Sequence, residues 1–495
     1  MKTYLNTIPA MWQRAVAENR DNIALIASDF ARYTYGDIDH MARAIRSLFA
    51  IERPQRVGIL MNHGPRQVAS ILAVVSAGAA YVAVEPSLPG TRIRRIFKEA
   101  DVDFVITGRS NAVRVLKYKP LVLPPREKLL TMAAQPQPAE VTPTTPAYIL
   151  YTATRSGKRK GVVVENDNVT HYVHAFQHEF KIGPGDVMLQ SSVCGFDTFV
   201  EELFVTLLSG AALAILPESN RGDIRSIVDF CDRTGVTAIC GFTSMVDAMN
   251  ALERVPEKLR LVISNGEALR PANIAWLKDK TTIYYSYGLS ETTVRAAWQR
   301  CDNYPLASDE EFYPIGRPIE GMEIAILNEN LEPVAQGEPG EISILGDGVA
   351  RGYVGEDDES SFATMPDGRR VYLTGDIGSW DGHTFHFIEH ADRSVTIEGR
   401  DVRCSEVENA LRQNPDVENG VVCSFTDSKG KPYLVAYFTA KCAKAGVSLS
   451  GLRRHMKSLL AWFKVPEYYV QMPSLPTKRN GKVNIKALPH VLKDK

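Results

Sequence analysis

Twelve residues in the first third of the chain, Tyr151-Thr-Ala-Thr-Arg-Ser-Gly-Lys-Arg-Lys-Gly-Val162, hold its densest chemistry. They join two apolar stretches, Ala147-Tyr-Ile-Leu150 and Val162-Val-Val164, through a loop with Gly157, Gly161, three small hydroxyls and four cations. Backbone N–H groups can approach an anion closely at the glycines, and Lys158, Arg159 and Lys160 answer negative charge, so the composition suits a polyphosphate. The Walker pattern is not met: Thr152 stands where its first glycine belongs, and a strand, not a helix, follows. Read alone, the segment fits a basic surface hairpin equally well.

Four more segments carry reactive groups. Tyr284-Tyr-Ser-Tyr-Gly-Leu-Ser-Glu-Thr-Thr293 follows a buried strand, where α/β sheets place ligand groups. It offers an aromatic face, hydroxyls for phosphate oxygens and a carboxylate suited to magnesium. Tyr372-Leu-Thr-Gly-Asp376 is expected to set one carboxylate after a tight turn, fit for the vicinal hydroxyls of a ribose. Cys194-Gly-Phe-Asp197 through Glu202 places an acid among apolar residues, where a substrate ammonium would neutralise it. Thr477-Lys-Arg-Asn-Gly-Lys482 sets a lysine just past an Asn-Gly turn. Each segment also has a plain structural reading: core tyrosine, turn aspartate, helix cap, solvated tail. His171, His174 and His178 share a helical spacing, but no matching ligand lies elsewhere, so a helix face is expected rather than a metal site. Nothing near Cys404 marks it as an activated nucleophile.

Short β-branched runs alternate with helical patterns around these segments. Arg56-Val-Gly-Ile-Leu-Met61, Tyr81-Val-Ala-Val84 and Phe104-Val-Ile-Thr107 read as strands, with helices over Arg66–Val75 and Thr91–Phe97 between them. A second series runs from Met188 through Ala212, Ala238 and Leu261 to Thr282. Such alternation predicts mainly parallel sheets with helices on their faces. Beyond Ile324, shorter strands with turn signals predict a β-rich subdomain. The last hundred residues read as a separate α+β unit, with a capping box, Ser405 to Glu408, opening a helix.

The chain has 495 residues, more than one usual domain, and 44% are hydrophobic, enough for large cores. A net charge of −1 argues against a nucleic-acid or membrane partner. The seven cysteines are dispersed, with no CxxC pair, as for reduced thiols in the cytoplasm. The start has no long apolar stretch, so no signal peptide is expected. The uncharged stretch Val68–Val84 splits into a buried helix and a buried strand rather than a membrane span.

Taken in order, these blocks resemble the adenylate-forming superfamily of acyl-CoA synthetases, luciferases and nonribosomal-peptide adenylation domains. The likeness extends to Arg32-Tyr-Thr-Tyr-Gly-Asp37, Ala77-Gly-Ala-Ala-Tyr-Val-Ala-Val-Glu-Pro86, Gly337-Glu-Pro-Gly-Glu341 and Ala350-Arg-Gly-Tyr353. The amino-acid-activating branch is the nearest in pattern, because Phe196-Asp197 matches the pair whose acid holds a substrate α-ammonium.

The resemblance implies a fold of two stacked, mostly parallel sheets plus a β-rich subdomain over residues 1–391, and a small mobile domain over 392–495. It implies ATP and Mg²⁺, with an aminoacyl-adenylate formed first and a thiol then displacing AMP. By motif position Tyr287 would stack on adenine, Ser290 contact the α-phosphate and Glu291 hold magnesium. Asp376 would take the ribose hydroxyls beside His390, where the family usually has Arg. Ser156, Gly157, Lys158, Lys160 and Gly161 would cradle phosphates. Lys482 would bridge the substrate carboxylate and the α-phosphate, on a domain that swings about Asp392.

Departures from the family pattern are concentrated in the phosphate loop, where Ala153-Thr-Arg155 replaces Ser-Gly-Thr. They imply altered ATP use, with a catalytically impaired nucleotide-binding relative as the rival of another class. The pocket positions would be Asp197, Thr198, Glu201, Cys240, Ile263, Asn265, Ser286, Val294, Arg295 and Lys482. Their polarity points to a small or polar amino acid, with Arg295 either meeting a substrate acid or paired with Glu201. Thirteen residues follow Lys482, too few for a carrier domain, so the expected acceptor is a separate phosphopantetheinylated carrier protein, with coenzyme A second.

Overall fold

The alternating runs become two mainly parallel sheets. The larger has nine strands, in the order Arg317–Pro318, Ala297–Arg300, Thr282–Tyr287, Leu261–Asn265, Ala238–Phe242, Val187–Gln190, Ala212–Ile215, Ile23–Ile26 and Arg32–Thr34. Its six central strands are parallel, and antiparallel strands close both edges. The second has seven, ordered Gly352–Tyr353, Arg159–Glu165, Pro146–Ala153, Ala80–Ala83, Arg56–Leu60, Phe104–Thr107 and Pro120–Val122. Strands covered on both faces must be apolar throughout, and Ala80–Ala83, Phe104–Thr107 and Ala212–Ile215 are buried at every residue.

The computed structural model describes residues 6–49, 53–134, 139–153, 159–306, 312–328, 330–355, 361–390, 394–398, 400–427, 430–441, 447–476, 487–489 and 491. The chain divides into two compact units. One comprises Met1–Ser87, Ile93–Thr152 and Gly161–Ile388, the other Leu88–Arg92, Ala153–Lys160 and Glu389–Lys495. The expected boundary at 391/392 falls outside the described residues.

In the first unit one continuous core draws on both sheets, from Val57, Ile59 and Ile106 to Leu213, Ile239, Ile263 and Ile283. The uncharged stretch is indeed a helix, Pro65–Ser76, started by proline at its first turn and buried from Gln67 to Val75, followed by the strand Ala80–Ala83. Among the described residues no helix is long and apolar enough to cross a membrane. The β-rich part is an antiparallel sheet of Met322–Leu327, Gly340–Gly346, Arg370–Trp380 and Phe362–Thr364, with Phe385–His390 beside Arg370–Trp380.

The second unit holds a three-stranded sheet, Val417–Thr426, Pro432–Ala440 and Tyr468–Gln471, with helices Cys404–Arg412 and Leu449–Leu459. Val407, Leu411, Val422, Leu434, Phe438 and Met456 fill its core.

Two local expectations change. Asp376 does not follow a tight turn; it sits inside the long strand Arg370–Trp380, where Gly375 at φ 78° accompanies a shift of register, the mark of a β-bulge. The helix expected to be capped by Ser405 starts at Cys404. Glu408 Oε1 accepts the Val422 N–H at 2.9 Å and fastens the helix to the sheet.

Candidate active site

A strand end and a crossing build the centre of the site. Thr282–Tyr287 runs into Gly288, a 3₁₀ turn Ser290–Thr292, and then Thr293 and Val294 at φ 54° and 75°. A Cβ on Gly288 would lie 2.4 Å from both the Arg295 Cα and the Val294 carbonyl oxygen, so only glycine lets the chain pass itself here. Two β-branched residues in the left-handed region are strained, and the Thr293 hydroxyl, donating to the Gly348 carbonyl at 2.7 Å, helps hold them there. This corner turns Ser290 and Arg295 toward the same partner.

That partner is Asp197. The Ser290 hydroxyl donates to Asp197 Oδ2 at 3.0 Å, and Arg295 Nη1 lies 3.9 Å from Oδ1. Asp197 begins a helical stretch of three pieces: Asp197–Val200, one π turn over Glu201–Val205, and Thr206–Leu208. Arg295 Nη2 donates to Glu201 Oε2 at 3.2 Å and to the Thr198 hydroxyl at 3.0 Å, while the Tyr172 hydroxyl donates to Glu201 Oε1 at 2.6 Å. Burial pushes the Glu201 carboxyl up, against the pull of Arg295 and Tyr172. Burial also works against the Arg295 charge, but Glu201 and Asp197 outweigh it, so the guanidinium stays charged. Of the two expectations for Arg295, the internal pair with Glu201 is the one formed.

Cys240, Ile263 and Asn265 share one face of the large sheet. Cys240 pairs with Ile263 across neighbouring strands, and strand alternation puts Asn265 on that same face. Burial pushes the Cys240 thiol well up; it donates to Met188 Sδ at 3.9 Å and is no nucleophile. The Ser286 hydroxyl donates to the Ser264 carbonyl at 3.2 Å. Asn265 Nδ2 and Arg295 Nε are buried N–H groups without an acceptor among the described residues. Val294 is fully buried.

Among the positions expected to meet a nucleotide, the Tyr287 hydroxyl donates to Asp376 Oδ2 at 2.6 Å. Burial, then the Asp376 charge, pushes that hydroxyl well above its ordinary range, so it remains a donor. Glu291 is buried, and its Oε1 accepts from the Tyr353 hydroxyl at 2.9 Å. Gly161 lies within the strand Arg159–Glu165, where a Cβ would meet Ile149 at 2.8 Å and the Tyr151 ring at 3.0 Å, so close packing gives it a reason beyond anion approach. Lys160 is half-buried. Ser156, Gly157, Lys158, Asp392 and Lys482 lie outside the described residues, and His390 ends the strand Phe385–His390.

Three participants were not singled out from sequence. Tyr172 satisfies Glu201, and its signal was a place on a largely buried helix face, Asn166–Phe180. Tyr353 belongs to the Ala350–Tyr353 block yet showed no role until it met Glu291. Glu202, beside Glu201, turns into a separate network: it accepts the Ser191 and Ser192 N–H groups at 3.1 and 3.2 Å, the Ser192 hydroxyl at 3.0 Å and Gln190 Nε2 at 3.3 Å. Burial pushes the Glu202 carboxyl up to about 7. Of the three histidines, the rings of His171 and His178 reach the carbonyl and carboxylate of Glu320 at 2.6 and 3.2 Å.

Comparison with known proteins gives the family context. Residues 12–354 match the model of the AMP-binding enzyme family. The chain is 30% identical to tyrocidine synthase 3 of Brevibacillus parabrevis over 498 residues, 98% of this chain and 8% of that protein. It is 29% identical to the dimodular nonribosomal peptide synthase of Bacillus subtilis over 504 residues, 98% and 21% of the two chains. It therefore spans a small fraction of the relatives it matches. Among solved structures, the Vibrio cholerae adenylation domain AlmE, in complex with glycyl-adenosine-5'-phosphate, superposes with a TM-score of 0.81 at 21% identity over 98% of both chains. The o-succinylbenzoate CoA synthetase of Bacillus subtilis does so at 0.83 and 20%, again over 98% of each.

Proposed function

The chain belongs to the AMP-binding enzyme family, and on that premise we propose that it activates an amino acid as its adenylate at the expense of ATP, then passes it to the thiol of a carrier protein. The observation that carries this reading is the 3.0 Å hydrogen bond between Ser290 and Asp197, which sets an ammonium-binding acid beside the turn that meets the α-phosphate. A substrate ammonium takes the place of the Ser290 proton at Asp197 and frees that hydroxyl for a phosphate oxygen.

Tyr287 and Asp376 form the adenosine side, the ring against the base and the carboxylate on the ribose. Ser156, Gly157, Lys158, Lys160 and Gly161 face the outer phosphates, and Lys482 neutralises charge between the attacking carboxylate and the α-phosphate, where it matters most in such a transfer. Glu291 presents a hard carboxylate oxygen in the turn beside Ser290, a donor that fits Mg²⁺. Bound there, the ion would supply charge neutralisation to the phosphates. The small unit swings about Asp392 between adenylation and thioester formation, with coenzyme A as the second-choice acceptor.

A small or polar amino acid fits the pocket, because Glu201, Asn265 and Arg295 line it. The buried Asn265 and Arg295 N–H groups favour a side chain that carries a hydrogen-bond acceptor. Pyrophosphate exchange across the amino acids tests this. Strongest stimulation by a small or polar amino acid is expected. A preference for large apolar ones would sink the substrate assignment, and ATP binding with no stimulation by any would favour the impaired nucleotide-binding relative.

A further inference from the structure

We propose that His63, Glu85 and Cys194 form a binding site for one divalent transition-metal ion of the zinc class, separate from the nucleotide and amino-acid positions. The three come from different elements: His63 follows the strand Arg56–Leu60, Glu85 follows Ala80–Ala83, and Cys194 precedes the helix that starts at Asp197. His63 Nε2 lies 3.1 Å from Glu85 Oε2, Cys194 Sγ lies 3.5 Å from the same oxygen, and all three ligand atoms fall within 4.8 Å of one another. Zinc bonds of about 2.0–2.3 Å at tetrahedral angles put ligand atoms roughly 3.3–3.7 Å apart, near the two distances to Glu85 Oε2, so drawing His63 and Cys194 together completes one face of a tetrahedron. A water would take the fourth position, as three-ligand zinc sites allow.

A neighbouring amide orients the histidine. Gln190 Nε2 donates to the Ser192 carbonyl at 2.5 Å and to Glu202 at 3.3 Å, which fixes the amide so that its oxygen faces His63 Nδ1 at 3.1 Å. With Nδ1 turned to that amide oxygen, Nε2 is left facing Glu85 Oε2 at 3.1 Å, on the side where the cluster converges. A carbonyl-type partner on the far ring nitrogen is also the usual way a metal-binding histidine is oriented.

Charge balances as well. Loading breaks the Cys194 S–H bond, releases that proton to solvent and forms a metal–sulfur bond, while His63 binds through Nε2 and Glu85 through its carboxylate oxygen. The thiolate and the carboxylate together offset the charge of the dication. Softness of the thiolate and imidazole selects zinc over magnesium or calcium. The Phe199 ring stands edge-on to His63 at 5.6 Å and covers one side. The ion would tie the ends of two adjacent strands to the segment that carries Asp197.

The test uses the tag-free full chain, loaded with zinc or cobalt(II) and dialysed free of excess metal. Elemental analysis should find about one zinc retained per chain, and the cobalt form should show thiolate-to-metal charge-transfer absorption. Cys194→Ser should remove that absorption while the control Cys404→Ser keeps it, and His63→Gln should weaken metal retention at least about tenfold. Zinc should also raise the unfolding temperature of the wild-type chain but not that of His63→Gln, which serves if Cys194→Ser fails to fold. No retained zinc in the wild type, or an undiminished charge-transfer band in Cys194→Ser, overturns the site.

Discussion

Replacing Arg295 by Met tests how the pocket is held together. The wild-type guanidinium meets Glu201 at 3.2 Å and Thr198 at 3.0 Å, and the Glu201 side chain is 0% exposed. Met keeps most of the apolar stem but removes the cation, leaving Glu201 with the Tyr172 hydroxyl alone. Stranding one member of a buried pair costs about 3–5 kcal/mol. The lower end is expected here, because Glu201 can escape by taking up a proton: burial already pushes its carboxyl upward. The destabilisation should therefore grow as pH rises above the ordinary glutamate value of 4.5, where the unfolded chain has lost a proton that the folded variant keeps. Glu201→Gln/Arg295→Met removes both charges and keeps an acceptor for Tyr172, so it should lie within about 1 kcal/mol of wild type, as neutral replacements of buried pairs often do. Urea denaturation of the four proteins, followed by tryptophan fluorescence, gives the coupling energy, expected at about 2–3 kcal/mol. Single effects that add to within about 0.5 kcal/mol would refute mutual satisfaction and return Arg295 to the role of receptor for a substrate acid.

Other perturbations probe the remaining parts. Lys482→Ala should lower adenylation at least about a hundredfold, since losing such a contact costs about 2–4 kcal/mol; unchanged pyrophosphate exchange would remove Lys482 from the mechanism. Asp376→Asn should raise the KM for ATP at least about tenfold through loss of a charged hydrogen-bond partner, and an unaltered KM would take the ribose from this carboxylate. Gly288→Ala should abolish exchange and lower the unfolding temperature, because the new methyl has only backbone to displace; a wild-type melting curve would contradict the crossing described above. Glu202, held at about 7 against an ordinary 4.5, keeps a proton in the folded chain that the unfolded chain loses between those values. Stability should therefore fall by about 3 kcal/mol as pH rises through that window, and Glu202→Gln should flatten this part of the stability–pH curve in urea titrations.

Much of this was legible in the residues, for reasons that differ from part to part. The parallel sheets followed from β-branched runs separated by helical spacing, because a strand buried on both faces must be apolar regardless of its neighbours. Asp197, Ser290, Glu291 and Asp376 drew notice because each sits in a short block whose order along the chain is informative, and the structure brings Ser290 to Asp197. What stayed hidden depends on contacts remote in sequence. Tyr172 lies 29 residues from Glu201, and Tyr353 lies 62 from Glu291. The bulge at Gly375 looked like a turn because glycine before aspartate signals both, and only pairing with Gly340–Gly346 decides between them. His63, Glu85 and Cys194 gave no spacing signal, since topology alone brings them together.

The π turn at Glu201–Val205 separates two tasks that sit side by side in the chain. Glu201 looks toward Arg295 and Tyr172; Glu202, one residue later, anchors the backbone of Ser191 and Ser192. One carboxylate is engaged by the Arg295 guanidinium, and its neighbour belongs to the frame. A break in the Arg295 pair would thus leave the Ser191–Ser192 anchor in place, because one widened turn keeps the two networks apart.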